Sequence, residues 1–156
     1  ALHPGGQRER LRLVPYQYVE DAPTADVGFV ATGKTLEQCL QAAADATLAV
    51  MLGNPESLQP TERRALHVES DAVDLALLKL LEELIYYKDA ERLFLRVRDV
   101  QVRQREARWV IEAQAEGEPI DPSRHHLSGD VKAVTLHRLS VRETPAGWEA
   151  SVVLDV

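Results

Sequence analysis

The sequence predicts an α+β fold, a single domain in which two α-helices pack on a mostly antiparallel β-sheet. Three observations carry this. Two stretches place apolar residues at helical spacing, 35–50 and 72–88. Several shorter stretches alternate apolar and polar residues, or are rich in β-branched and aromatic types, as strands do. Finally, the later strand-like stretches are joined in pairs by connections of a few residues, which suit hairpins.

Residues 1–13 carry Pro and Gly without apolar periodicity and read as a flexible N-terminal extension, leaving 14–156 as the folded domain. Residues 16–19 and 27–31 read as short strands flanking a loop that holds Asp26, with Pro23 marking a turn between them. Thr35 followed by Gln38 has capping-box spacing. Leu36, Cys39, Leu40, Ala43, Thr47 and Val50 then form one apolar stripe. Gly53 is expected as the residue after the helix end, with Pro55 preventing continuation. A strand is expected over 64–69. A second helix, 72–88, is opened by Asp71 and Asp74 and buries Val73, Leu77, Leu78, Leu81, Leu84 and Ile85. The remainder reads as four strands, 93–104, 108–115, 131–143 and 148–156. Arg105-Glu106 connects the first pair and Thr144-Pro145-Ala146-Gly147 the second.

Composition narrows the functional classes. The chain has 156 residues, 45% hydrophobic and 28% charged, ordinary values for a globular protein. No apolar run approaches the ~20 residues that span a bilayer, so no membrane role is expected. The single cysteine, Cys39, cannot form an intramolecular disulfide and fits a reducing, cytoplasmic setting. It lies on the apolar stripe with no basic neighbour, so it reads as structural rather than reactive. A net charge of −7 has the wrong sign for attraction to a phosphate backbone, so direct nucleic-acid binding is not expected. Arg92, Arg96, Arg98, Arg103, Arg105 and Arg108 interleave with valines and read as the wet side of strands.

Phosphate loops, zinc-protease motifs, Cys-x-x-Cys pairs, nucleophile elbows and EF-hand loops are all missing. Two polar features remain. Asp121-Pro122-Ser123-Arg124-His125-His126, followed by Lys132 and His137, forms a polar cluster in a connection. Its adjacent histidines point to opposite faces of an extended chain and so are poorly placed to share a metal. The second feature is Leu154-Asp155-Val156. Alternation puts Trp148, Ala150, Val152 and Leu154 on one face of the last strand, and Glu149, Ser151, Val153 and Asp155 on the other. Taken singly, Asp26 reads as a turn residue and Asp155 as a surface carboxylate. Taken together with a chain-end carboxylate on Val156, they could form an all-oxygen site for a hard cation.

Several segments carry a resemblance in order and with compatible spacing. They are Thr24-Ala25-Asp26-Val27-Gly28, Gly33-Lys34-Thr35-Leu36-Glu37, Leu81-Glu82-Glu83-Leu84-Ile85-Tyr86, Gly117-Glu118-Pro119-Ile120-Asp121, Arg124-His125, Val131-Lys132-Ala133-Val134-Thr135-Leu136-His137 and Leu154-Asp155-Val156. This series resembles the archease family over residues 16–156. The resemblance implies a non-enzymatic protein that activates the RtcB-type RNA ligase of tRNA splicing, promoting its GTP-dependent guanylylation and multiple turnover. The ligase would be the partner, and GTP would be met only through it. The resemblance also implies a divalent cation (calcium, manganese or magnesium) held by Asp26, Asp155 and Val156. Arg124, His125 and Lys132 are the residues it points to for ligase activation. Pro23 stands where the family box has histidine, and Arg124 where a lysine is usual. Two other readings are a small metal-dependent hydrolase using Asp26, His125 and Asp155, and a chaperone-like interaction module without a metal.

Overall fold

The computed structural model describes residues 15–19 and 26–156. The expected extension, 1–13, and the expected turn at Pro23 lie outside these residues. In chain order the elements are β1 (Tyr16–Val19), β2 (Asp26–Gly33), α1 (Leu36–Met51), a 3-10 turn (Pro55–Ser57), β3 (Glu62–Ser70), α2 (Val73–Glu91), β4 (Leu93–Arg105), β5 (Arg108–Pro119), β6 (Ala133–Val134), β7 (Ser140–Thr144) and β8 (Gly147–Asp155). The α+β class is as expected, but the strands form two sheets rather than one. A five-stranded sheet runs β1-β2-β8-β6 with β7 also paired to β8, and a three-stranded sheet runs β3-β5-β4. Every strand pair is antiparallel.

Helix α1 starts as its sequence dictates. The Thr35 hydroxyl accepts from the Gln38 N–H, and the Gln38 side chain returns a bond to the Thr35 N–H. Its buried face is unusually small, with Ala42, Ala43, Ala44 and Ala46 all at or below 2% exposure. Methyl-sized side chains let the helix approach closely, and it packs on β2, β8 and β4, bridging the two sheets. The C-terminal end departs from expectation. Leu52 is an extended C-cap and Gly53 does not take a left-handed conformation. Instead a distant segment satisfies the terminal carbonyls: the Ser128 hydroxyl donates to the Val50 oxygen (2.7 Å) and the Ser128 N–H to the Met51 oxygen (3.2 Å). A glycine cap is redundant where another part of the chain supplies the donors.

Helix α2 begins at Val73 and runs to Glu91, three residues past the expected end. Asp71 does not cap it; that carboxylate pairs with Arg108 (3.0 Å). Arg92 ends the helix in the left-handed region (φ 55°), a role more often filled by glycine. Leu77, Leu80, Leu81 and Leu84 are buried against the inner face of the three-stranded sheet, with Leu66, Ile111, Ala113 and Val97 opposite. Cys39 is fully buried, its thiol aimed at the Ala31 carbonyl (3.6 Å). Burial, with Glu149 nearby, pushes that thiol up to about 11, which fits a structural role.

Of the arginine series, Arg92 ends α2 and does not lie on a strand, while the outer face of the three-stranded sheet carries a cross-strand ladder built on the later members. Arg98 pairs with Glu116 (3.1 Å), Arg103 with Glu112, and Arg108 with Glu69 (3.4 Å). A bulge between Arg98 and Gln101, with Asp99 at φ 54°, resets the alternation midway. Hairpins form where expected, with Glu106-Ala107 and Pro145-Ala146 at the turns. The expected continuous strand over 131–143 is instead broken into β6 and β7 by a turn in which Arg138 adopts φ 56°. Both pieces still pair with β8, at its two ends.

Two substitutions separate local from packing contributions. A Cβ at Gly117 would lie 1.8 Å from the Phe94 carbonyl oxygen, a backbone atom that moves only with the β4–β5 ladder. Gly117→Ala is expected to destabilise by about 3 kcal/mol, and Thr35→Ala, which removes one cap bond, by about 1 kcal/mol. Urea unfolding checks both, with the larger loss at Gly117.

Candidate functional site

The site is built from the pairing of β2 with β8. Its register places Asp26 directly opposite Asp155, followed by Val27 opposite Leu154 and Gly28 opposite Val153. Phe29 and Ala31 of β2, with Ala150, Val152 and Leu154 of β8, form the core face. Asp26 and Asp155 therefore share the other face, because side chains alternate along each strand and directly opposed residues lie on one side. The expected face for Asp155 is found. Asp26, expected in a loop, is the first residue of a strand. Neighbouring Phe29 is fully buried, and the pairing with β8 draws that position into the ladder.

On the far side of Asp155 lies Ala133 of β6, so Asp26, Asp155 and Ala133 form one row across three strands. The Lys132 N–H donates to the Asp155 main-chain oxygen (2.8 Å), holding β6 against the end of β8. Both aspartates are half-buried. Directly opposed side chains on antiparallel strands have Cβ atoms about 5 Å apart, and like charges there repel. No lysine, arginine or histidine forms an ion pair with either carboxylate among the described residues. Two hard oxygen donors side by side suit a hard cation. They are a partial set, since among the described residues no three His, Cys, Asp or Glu side chains converge as metal ligands. Further positions would fall to main-chain oxygen, such as that of Val156, to water, or to a partner.

The second cluster lies where β5 leaves the three-stranded sheet. Glu118 is opposite Phe94, and the chain then doubles back so that His125 stands edge-on to the Phe94 ring (5.5 Å between centroids). The His125 side chain is fully buried and both of its nitrogens are used. Nδ1 accepts from the Asp121 N–H (2.9 Å), which leaves Nε2 as the protonated nitrogen, donating to Glu118 Oε2 (3.1 Å). Glu118 also accepts from the Gln59 N–H (2.8 Å) and pairs with Arg124. Burial pushes the Glu118 carboxyl upward, but the Gln59 N–H, Arg124 and His125 outweigh it and hold the group below the usual range.

Arg124 is partly exposed and is aimed by Glu118 on one side and Asp121 (3.4 Å) on the other. The neighbouring His126 is exposed while His125 is buried; the two are separated by a turn over 122–125, in which the His125 N–H donates to the Asp121 oxygen (2.8 Å), and not by strand alternation. Lys132 is exposed. Asp26 and Asp155 are thus brought together, and Arg124 and His125 are brought together. His125 does not join the two aspartates in one ligand cluster.

Three residues that the sequence did not single out as site candidates organise this region. Asn54 bonds both the Arg124 carbonyl (3.0 Å) and the His126 N–H (2.8 Å). Lys88, 6% exposed, bridges Asp89 and Asp130 at 2.6 Å each. Glu118 lies in the Gly117–Asp121 segment that carries the resemblance, but its burial is not displayed by a single sequence.

Comparison with known proteins agrees with this architecture. The model of the archease protein family (MTH1598/TM1083) matches residues 16–156. The protein archease of Methanosarcina mazei is 34% identical over 142 residues, 90% of this chain and 95% of that protein. The protein archease of Pyrococcus abyssi is 34% identical over 134 residues, 85% of this chain and 94% of that one. The solution structure of protein 1598 from Methanobacterium thermoautotrophicum superposes with a TM-score of 0.79 at 28% identity, covering 92% of this chain and 100% of that one. A Thermotoga maritima crystal structure, described as an archease and possible chaperone, shares the fold at a TM-score of 0.56 and 14% identity, covering 90% and 100%. With its family model matched from β1 to the last residue, this chain belongs to the archease family.

Proposed function

We propose that this protein is a metal-binding, non-catalytic activator of an RtcB-type tRNA-splicing RNA ligase, acting in the cytoplasm. The observation that carries the metal part is the register that sets Asp26 opposite Asp155, with neither carboxylate in an ion pair between described residues. A divalent cation of hard character would supply charge neutralisation there and an attraction for anionic oxygens. Asp26, Asp155 and a main-chain oxygen of Val156 would hold it, leaving remaining positions for water or for groups of the ligase. The ligase part is supported by family membership together with the form of the site. Two carboxylates at a strand end, half-buried on a sheet face, lie where a partner can reach them.

Arg124 is the second contact. Glu118 and Asp121 fix the direction of its guanidinium, whose planar fork suits a carboxylate or phosphate on the partner. His125 supports this by position rather than by chemistry, since its ring nitrogens are committed to Asp121 and Glu118. The hydrolase reading has less support, because His125 and the two aspartates do not form one ligand cluster.

The direct test is multiple-turnover RNA joining by the cognate ligase with GTP and manganese, with and without this protein. Acceleration by the wild type, lost in Asp26→Asn and Asp155→Asn, is the expected result; equal stimulation by these variants would contradict the reading. Calorimetric titration with calcium or manganese should show each variant binding at least about tenfold more weakly, since ligand charge count sets affinity at such sites. No hydrolysis of a phosphodiester by the protein alone is expected, with or without manganese.

The Glu118 cluster predicts a pH dependence. The folded carboxyl titrates below its unfolded value, so its contribution is present above the ordinary carboxylate range and is lost as pH falls through the folded value. Glu118→Gln should lower the melting temperature at pH 7 and weaken the fall in stability between about pH 5 and 3. Thermal melts across that window check it. Wild-type and variant curves of the same slope would rule the cluster out as a contributor.

A further inference from the structure

Lys88 is a buried charge that neither polar cluster uses. It sits in the last turn of α2 at 6% exposure. Its ammonium bridges Asp89 of the same helix and Asp130 of the connection before β6, 2.6 Å from each. Burial disfavours the charged amine, but Asp130 and Asp89 outweigh it and hold the group above its ordinary value.

The burial is one-sided. The Asp89 and Asp130 side chains are 57% and 73% exposed, so both carboxylates would stay hydrated without the lysine. An ammonium taken out of water to meet two solvated carboxylates is a poor source of stability. An unbranched methionine would fill the same space without that desolvation. What the bridge does provide is a fixed link between α2 and a point 42 positions further along the chain.

That point leads directly to the carboxylate row. Val131, which follows Asp130, is fully buried. The Lys132 N–H then donates to the Asp155 main-chain oxygen (2.8 Å), and Ala133 and Val134 stand opposite Asp155 and Leu154. Strand β6 is only those two residues long, and among the described residues it pairs with β8 alone. Its place therefore depends on how its ends are held. The Thr135 N–H bond to the Val153 oxygen (3.0 Å) holds the far end, and the Lys88–Asp130 pair holds the chain just before the near end.

We propose that Lys88 is a positioning residue for the cation site. Through Asp130 it sets β6 against the end of β8, and so fixes the backbone from which Asp155 and Val156 offer their oxygens. This rests on the metal reading above and adds a residue, outside the ligand set, on which that site depends. Groups that orient ligands without touching the ion commonly change metal affinity about 10- to 100-fold.

Calorimetric titration of the full chain with calcium tests this on wild type, Lys88→Met, Asp130→Ala and Asp89→Ala. Lys88→Met should bind calcium about tenfold more weakly, while its calcium-free melting temperature stays at or above the wild-type value. Charge alone would act the other way, since loss of a cation favours calcium. Asp130→Ala changes the charge in the opposite direction and should weaken binding to a similar extent. Asp89→Ala also takes one carboxylate from Lys88 but keeps the tie to β6. It should lower the melting temperature as Asp130→Ala does, yet bind calcium within about twofold of wild type. In calcium-free protein the Lys132 amide should exchange with solvent faster in Lys88→Met and Asp130→Ala than in wild type or Asp89→Ala. Wild-type calcium affinity in Lys88→Met, or an equal loss in Asp89→Ala, overturns the positioning role and leaves the metal reading intact. Should Lys88→Met fail to fold, equal affinities in Asp130→Ala and Asp89→Ala overturn it in the same way. A wild-type protein that binds no calcium overturns both.

Discussion

The antiparallel pairing of β2 with β8 is the constraint on which the rest of the molecule depends. It joins the start of the described fold to its end, builds the middle of the five-stranded sheet and supplies the floor on which α1 packs. The same register that buries Phe29 beside Val152 on one face must set Asp26 beside Asp155 on the other. A slip of one residue would move the aspartates into the core and the apolar set into water. The hydrophobic core thus fixes the carboxylate pair in place, and the repulsion within the pair is a cost that the core absorbs. That cost gives a cation something to relieve.

The second organising feature is the long connection from β5 to β7. It contains little regular structure beyond the two residues of β6, yet it is tied down along its course. His125 is locked between Glu118 and Asp121, Asn54 holds the chain on either side of it, and Ser128 caps α1. Lys88 then holds Asp130, and Lys132 meets the Asp155 backbone. The ties at His125, Lys88 and Ser128 satisfy buried polar groups or orphan helix carbonyls, so these cannot be removed without leaving a partner unmet. The connection behaves as a fixed surface that carries Arg124 and Lys132 at set positions. Long connections of this kind in compact domains are commonly functional.

Much of this was legible in the residues. The capping box at Thr35 and Gln38, the leucine stripe of α2 and the alternation of β8 are local patterns with local physical causes, and they appear as expected. The face of Asp155 followed from alternation alone. What was not legible depended on distant partners. Asp26 is strand rather than loop because β8 pairs with it. Gly53 follows the helix end as expected but takes no left-handed turn, because Ser128 supplies the donors, and the 131–143 stretch breaks because the two ends of β8 take separate partners. Asn54 carries no spacing signal, and the Gly117–Asp121 segment does not reveal what Glu118 does, since the importance of both comes from contacts across 59 to 72 positions of sequence.

The central claim is that Asp26 and Asp155 act as one unit toward a divalent cation. The most direct measurement is the calcium-induced rise in melting temperature for wild type, Asp26→Asn, Asp155→Asn and the double variant, all at one protein concentration. Without calcium each single variant should melt at or slightly above the wild-type temperature, because the opposed charges are gone. With calcium the wild type should rise, and each single variant should lose the rise as completely as the double variant does. A single variant that keeps the wild-type rise would contradict the account.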